Sequence, residues 1–242
     1  MIKIENAEVF GWEHAIRGMR NPLNSWHRSD SGVDCTMDKL SDCLNHDYIN
    51  CDNCREFKIG PNDLDLMNRL RNAGTDHRKF MRMITVYLDI TAPLYWWKEF
   101  DTYKVGTVAN SCSTMHKIHD KEFTLDDFSC EHLFEGDEER CHLLEAPLTE
   151  DDLFLNSTGL LKLTMDLLNA YRNEFLRTKD KKYWWQMIQL LPSSYNQKRT
   201  IMLNYEVLAN MCRSRRNHKL DEWRDFYSFV KTLPYSEIII GK

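Results

Sequence analysis

The stretch ITVYLDITAPLYWWKEFDTYKVGTVANSCSTMHKI, residues 84–118, decides the fold of this chain. Its first residues alternate between apolar and polar, a pattern typical of a strand with one buried face. The side chains that would share that face are Ile84, Val86, Leu88 and Ile90. Ala92-Pro93 should end the strand, because proline has no N–H to give a sheet and fixes its own φ. Pro93 then suits the first turn of a short helix, LYWWKEFDTYK.

The aromatic residues of this helix allow two interpretations. Tyr95, Trp96, Trp97 and Phe100 could pack in the core or form an interface with another chain. After Gly106 the sequence changes to hydroxyl, amide and thiol side chains, from Thr107 to Thr114. A rigid element followed by such donors is typical of a ligand site, although a solvated loop would have the same composition.

Composition indicates a globular chain whose length suits one large domain or two small ones, and we expect a single domain spanning residues 1–242. Of the 242 residues, 42% are hydrophobic and 12% aromatic, and no run approaches the roughly 18 apolar residues of a membrane span. The N-terminus lacks the pattern of a secretory signal, and a net charge of −5 provides no basic surface for duplex nucleic acid. We therefore expect a cytoplasmic protein that binds neither membranes nor duplex nucleic acid.

Two segments are read as insertions. The first, at about 27–60, is rich in Asp, Asn and cysteine; the second, at about 119–150, is acidic and reads as a surface connection. Cys51 and Cys54 have the spacing with which two thiolates share a tetrahedral zinc. The remaining ligands would come from Cys35, Cys43 or His46, whose spacing matches no standard finger. Free thiols in a surface insertion are the alternative.

Charged residues near the N-terminus and before the strand are further candidates. Arg17 and Arg20 lie three apart on a predicted helix that Pro22 ends, where they would serve solvent, a carboxylate or a phosphate. His77 precedes the strand and either faces a ligand or is a satisfied junction residue.

The last fifty residues hold a second informative pattern. A short strand ending at Asn204 leads into a helix with Leu208 and Met211 in the core and Asn210 beside them. A positive cluster follows: Arg213, Arg215, Arg216, His218 and Lys219. Such a cluster either complements a helix C-terminus or holds the phosphates of a nucleotide.

Together these two regions resemble the flavin-dependent thymidylate synthase family. Leu191-Pro192, eleven residues, then Asn204, Leu208, Asn210 and Arg215 repeat a spacing of that family. The order of strand, Ala92-Pro93 and aromatic helix matches its central region. The resemblance covers most of the chain outside the two insertions, and it implies an α+β fold with a central, mostly antiparallel sheet flanked by helices.

The central motif of that family is degenerate here. Where the family has Arg-His-Arg, this chain has Thr102-Tyr103-Lys104. Thr107 and Cys112 stand where the family has serines, Thr114 stands for its closing arginine, and Glu206 replaces an arginine beside Asn204. Lys104 keeps one cation without the planar fork that binds phosphate in a bidentate manner.

The resemblance implies a reaction and its site. FAD would take a hydride from NADPH, and methylenetetrahydrofolate would donate a one-carbon unit to C5 of a pyrimidine deoxynucleotide, dUMP. Residues expected at the flavin are His77, Lys104, Thr107, Asn110, Asn204 and Asn210. Residues expected at the nucleotide are Arg17, Arg20, Thr114, Arg215 and Arg216, with Arg215 and Cys112 as catalytic groups.

The role of Cys112 has two alternatives: its thiolate would attack C6 of the pyrimidine, or the residue would be a buried thiol packed as a small apolar group. For the whole chain, the enzyme is one of three functional hypotheses. The other two are a non-catalytic nucleotide-binding protein on the same fold, and an interaction protein whose cysteine-rich insertion holds zinc. Members of the family are homotetramers, so we expect the same assembly.

Overall fold

The computed structural model describes residues 2–35, 55–135 and 156–241. Six strands are present in the described residues: β1 (Lys3–Phe10), β2 (Gly32–Cys35), β3 (Arg55–Lys58), β4 (Thr85–Pro93), β5 (Val108–Ser111) and β6 (Asn196–Asn204). The helices there are α1 (Trp12–Arg20), α2 (Pro61–Asn72), α3 (Leu94–Phe100), α4 (Ser157–Thr178), α5 (Lys181–Leu190), α6 (Tyr205–Arg215), α7 (Asp221–Val230) and α8 (Glu237–Ile240). Short 3₁₀ turns include Arg78–Met83 after α2 and Asp101–Tyr103 after α3.

A four-stranded antiparallel sheet forms the centre, in the order β1-β4-β6-β5. On β4 the alternation predicts the buried face correctly: Val86 and Ile90 have no exposed surface and Leu88 is 2% exposed. Val86 pairs with Leu203 and Leu88 with Ile201, so the two middle strands present one continuous apolar surface to the helices. β2 and β3 form a separate two-stranded sheet. The predicted α+β class with an antiparallel sheet and flanking helices is confirmed.

The residues after β4 follow the predicted order, with a shorter helix. The strand ends at Pro93, and α3 gives way after Phe100 to a 3₁₀ turn rather than continuing to Lys104. Trp96, Trp97 and Phe100 are at most 1% exposed and pack against one another with ring centroids 4.9–5.2 Å apart. Of the two interpretations of these aromatics, core packing is correct.

A second, smaller core lies beside the main one. Phe123 and Phe128, each 3% exposed, pack with Leu168 of α4 and Met187 of α5. The described first half of the predicted acidic insertion is therefore anchored by aromatic side chains and is not only a surface connection. The rest of that insertion, and residues 36–54 of the cysteine-rich one, lie outside the described residues.

None of the helices in residues 2–35, 55–135 and 156–241 combines the length and the hydropathy that a bilayer span requires.

Candidate functional site

The start of α6 is the point at which the two informative regions of the sequence meet. Asn204 ends β6 and caps the helix, because its Oδ1 accepts the N–H of Val207 at 3.0 Å. Gly106, with φ +82°, lies against it: a Cβ placed on Gly106 would be 3.1 Å from Asn204 Nδ2. The segment after α3 thus passes directly over the helix N-terminus.

Thr107 follows Gly106 at this junction. Its Oγ1 is buried and has no hydrogen-bond partner among the described residues. A buried hydroxyl without a partner costs free energy unless something supplies one. Two of the predicted flavin residues therefore come close at this junction: Thr107 directly follows the glycine that lies against Asn204. The Thr107 hydroxyl is the polar group that has no partner.

A charged cluster continues along α6 from this junction. Glu206, in the first turn, is 8% exposed and accepts from Arg78 at 3.2 Å and from Arg82. Burial opposes ionisation, but the hydrogen bonds of Arg82 and Arg78 prevail and hold the pKa of the Glu206 carboxyl below its usual value. Glu206, noted in the sequence only as a departure from the family pattern, thus has two arginine partners more than 120 residues away in the chain.

Asn210 lies one turn further on. Its Oδ1 accepts from Arg78 Nη2 at 3.3 Å and from Arg213 Nη2 at 2.6 Å. His77, which is exposed, immediately precedes Arg78. The structure therefore brings His77 and Asn210, separated by 133 positions, to the same part of the surface, roughly 9 Å along α6 from Asn204.

Arg215 occupies a different face of α6, where other side chains hold it. Its Nη1 lies 3.0 Å from Glu99 Oε2, its Nε donates to Tyr103 Oη at 3.1 Å, and its guanidinium lies over the Trp223 ring. Glu99 also accepts from Trp223 Nε1 at 2.7 Å. Sequence reasoning missed Glu99 as the partner of Arg215, since nothing in the local spacing connects α3 with α6.

The predicted donor segment lies on an exposed edge. All four residues of β5, Asn110 among them, are exposed, and so are Lys104 and Cys112. Cys112 donates its N–H to Lys198 O at 2.9 Å, which holds the backbone while the thiol faces solvent. The interpretation of Cys112 as a buried apolar thiol is wrong: the residue is exposed, immediately after β5, an edge strand whose own residues are all exposed. Thr114 is half-buried just beyond.

Arg20 is buried and hydrogen-bonded within the fold. It is 3% exposed, and its Nε donates at 2.6 Å to Asp63, which has no exposed surface. Its other donors reach the carbonyl oxygens of Ser25 at 3.2 Å and Arg28 at 3.1 Å. Of the partners considered for this arginine, the structure shows the carboxylate. Arg17 instead faces solvent, 3.3 Å from His14.

The zinc prediction lies largely outside the described residues. Cys43, Cys51 and Cys54 are not among them, and Cys35 is the last residue of β2. Within the part of the chain that the structure describes, no three His, Cys, Asp or Glu side chains are grouped so as to hold a metal ion.

Comparison with known proteins shows similarity in structure alone. No protein-family model matches the chain, and no curated protein is similar to it in sequence. A crystal structure of the flavin-dependent thymidylate synthase ThyX from Helicobacter pylori complexed with FAD and dUMP matches with a TM-score of 0.60 and 14% identity. The match covers 98% of this chain and 96% of that one. The chain has the fold of a flavin-dependent thymidylate synthase. A second structure of the same enzyme with FAD and dUMP gives the same values.

The thymidylate synthase fold confirms the architecture that the sequence resemblance implies. A likeness at 14% identity does not transfer the reaction, because one fold supports many functions through different side chains. The reaction therefore has to be argued from this chain's own residues: Thr102-Tyr103-Lys104 on one side, and Asn204, Asn210 and Arg215 on the other.

Proposed function

We propose that this protein binds FAD and transfers a one-carbon unit to C5 of a pyrimidine deoxynucleotide, with dUMP as the substrate. The observation that carries the proposal is the junction at the start of α6. There Gly106, followed by Thr107, lies against Asn204, and Arg78, which follows His77, donates to Asn210 a turn and a half further along. The ThyX structures of the same fold, with FAD and dUMP bound, support it.

The residues at this junction fit a flavin in donor type. Arg78 and Arg213 both donate to Asn210 Oδ1, at 3.3 and 2.6 Å, and hold its side chain in place. The buried, unpaired Thr107 hydroxyl is a donor that a bound ligand would satisfy. FAD, when bound, would supply the hydride chemistry. Asn204, Asn210 and Thr107 would position it, and His77 and Lys104 would contact it from the exposed side.

The nucleotide would be held by Arg215, with Thr114 as a further polar contact, and Asn110 would contact the flavin. Arg216 is left out of this assignment, because it lines a separate cavity on another face of α6. For Arg215 to reach a phosphate it must exchange or share its contact with Glu99, while Tyr103 and Trp223 keep its guanidinium plane oriented. The exposed Cys112 thiol would add as thiolate to C6, which makes C5 nucleophilic toward the one-carbon unit. Arg20 is left out of this assignment, because Asp63 holds it.

A spectroscopic and thermal experiment tests the proposal. The purified chain should show flavin absorption, and FAD should raise its melting temperature, since a ligand at 100 times its Kd stabilises the native state by about 2.7 kcal/mol. With NADPH and methylenetetrahydrofolate, it should release tritium from C5-labelled dUMP. A colourless protein whose melting temperature does not rise with FAD would contradict the proposal.

A second candidate is a non-catalytic nucleotide-binding protein on the same fold. The observation that favours it is the ion pair of Arg215 with Glu99, together with an edge segment that carries Lys104 where the family has arginines. Each charge-assisted hydrogen bond that is lost forfeits about 1.5–3 kcal/mol. Tight dUMP binding in the absence of flavin, with no turnover in its presence, would favour this candidate.

We further propose a cytoplasmic homotetramer. The support in the structure is the outer face of the central sheet, where large apolar side chains stay uncovered: Phe10 (51% exposed), Tyr87 (44%) and Val108 (60%). Light scattering coupled to gel filtration would measure the assembly. The zinc-binding interaction protein remains the third proposal, and metal analysis of the untagged chain tests it: less than about half an equivalent of zinc would contradict it.

A further inference from the structure

A cavity of about 670 Å³ lies between the end of α2, the turn at Arg78, one face of α6 and the residues of α8. Its polar lining consists of four arginines and two asparagines: Arg71, Arg78, Arg213, Arg216, Asn72 and Asn217. Among the described residues that line it, none is acidic. The volume is within the roughly 300–1,000 Å³ typical of small-ligand sites.

The helical repeat separates this cavity from the Arg215 site. Ala209, Cys212, Arg213 and Arg216 line the cavity at positions i, i+3, i+4 and i+7, which is one face of a helix. Arg215 is two residues from Arg213, so it projects roughly 200° around the axis and contacts Glu99 on the opposite side. Ligands at the two places would not compete for the same side chains.

The cavity arginines are held in place by the fold. Arg71 donates from Nε to Ile238 O at 2.8 Å and from Nη2 to Ile239 O at 3.1 Å, which fixes its guanidinium at the cavity wall. Arg78 is held by Glu206 and Asn210 and is 12% exposed. A guanidinium that is already positioned loses less conformational entropy when it binds a ligand.

Their positive charge is only partly balanced. Glu206 neutralises one of the four arginines, Arg213 donates to the uncharged Asn210, and Arg216 has no ion-pair partner among the described residues. The C-terminal ends of α2 and α6 carry roughly half a negative charge each, which leaves about two positive charges in excess. Burial, and then repulsion by Arg78 and Arg213, lowers the pKa of Arg71, as expected where like charges converge without an anion.

We propose that this cavity binds the phosphate groups of a free nucleoside diphosphate, at a site separate from the proposed flavin and deoxynucleotide sites. Four guanidinium groups around one space suit a polyphosphate, because each can present a bidentate fork to its oxygens. The remaining wall is apolar, with Tyr227, Ile239 and Ile240, and offers a surface for a sugar or a base. The site requires neither bound flavin nor turnover, so it does not depend on the proposed reaction.

Calorimetric titration of the full chain with ADP tests the site. ADP should bind, and its affinity should fall as salt is raised, because the attraction is between charges. Arg213→Met and Arg216→Met change exposed side chains, and each should weaken ADP binding about tenfold or more. Arg71→Met should weaken it too, with a melting curve to confirm that the variant is folded, since Arg71 also tethers α8.

A control variant separates this site from others. Arg69→Met changes an exposed arginine on the same helix as Arg71, paired with Asp65 and outside the cavity, and should leave ADP affinity unchanged. No binding of ADP, or binding that the Arg213→Met/Arg216→Met double variant leaves intact, would overturn the proposal.

Competition with FAD then tests whether the cavity is separate from the flavin site. If FAD displaces ADP from the folded chain, and the double variant weakens both, the cavity belongs to the flavin site and the proposal is overturned. If both bind together, the cavity serves a separate nucleotide. In either case the arginine variants must act on ADP itself, so failure of flavin binding alone does not decide the outcome.

Discussion

Replacing Asp63 with asparagine should destabilise this protein without touching nucleotide binding. Asp63 has no exposed surface and accepts from five groups: Arg20 Nε at 2.6 Å, Ser29 Oγ at 2.7 Å, Ser31 Oγ at 2.6 Å, and the backbone N–H groups of Asp30 and Ser31 at 3.2 and 3.1 Å. Asparagine has nearly the same shape, but it carries no charge, and its amide nitrogen cannot accept any of these bonds.

The magnitude follows from leaving Arg20 buried without a counter-ion. Removal of one partner of a buried ion pair costs about 3–5 kcal/mol. For a chain of this length each kcal/mol lowers the melting temperature by about 2–4 °C, so Asp63→Asn should melt roughly 6–20 °C below the parent. Differential scanning calorimetry and urea unfolding measure the two quantities.

Matched variants make the result specific. Asp65→Asn alters a carboxylate on the same helix that is 67% exposed, and its effect should stay within about 0.5 kcal/mol. Replacing the pair together, as Arg20→Met with Asp63→Leu, should recover part of the loss, since no lone charge remains. A loss below about 1 kcal/mol for Asp63→Asn, or a loss of dUMP affinity in a still-folded Arg20→Met variant, would refute the structural assignment of Arg20.

Three further outcomes are expected. Burial opposes ionisation of Asp63, but hydrogen bonds from Ser31, Ser29 and Arg20 prevail and lower its pKa. The free energy of unfolding that this carboxylate contributes is therefore fully present above the unfolded pKa near 4 and should fall as the pH drops below it. Acid unfolding curves should show a shallower fall for Asp63→Asn. Gly106→Ala places a Cβ at φ +82° against Asn204 and should cost about 1–2 kcal/mol in urea unfolding, whereas Gly32→Ala, with open space around it, should be neutral. Peptide mapping after alkylation should find Cys112 modified well before Cys212, because burial raises the pKa of the Cys212 thiol to about 12; equal rates would contradict the exposed edge position of Cys112.

The strands and helices were largely predictable from the sequence, because their signals are local. Alternation of apolar residues predicts the buried face of β4, Pro93 ends it, and the spacing of Leu208 and Met211 predicts the buried side of α6. Each of these signals spans fewer than ten residues and depends on the period of a strand or a helix. The likeness of the two informative regions to the thymidylate synthase family then predicted the fold.

The candidate site depended on contacts that no local period contains. Arg17 and Arg20 are three residues apart on one helix, yet one faces solvent and the other is buried against a carboxylate 43 residues away. Cys112 is exposed just after β5, an edge strand of the sheet, and a strand's own sequence does not state its place in the sheet order.

By itself, then, the sequence determined the elements, their order and the family of folds to which they belong. Only the tertiary structure decided which charged side chains form ion pairs within the fold and which line a cavity. It paired Arg215 with Glu99 and Arg20 with Asp63, and it placed Arg71 with Arg213 at a cavity without an acidic lining residue in the described chain. The physical reason is that the partners of a charged side chain are set by distance in space, and here they are separated by 43 to 142 positions in the chain.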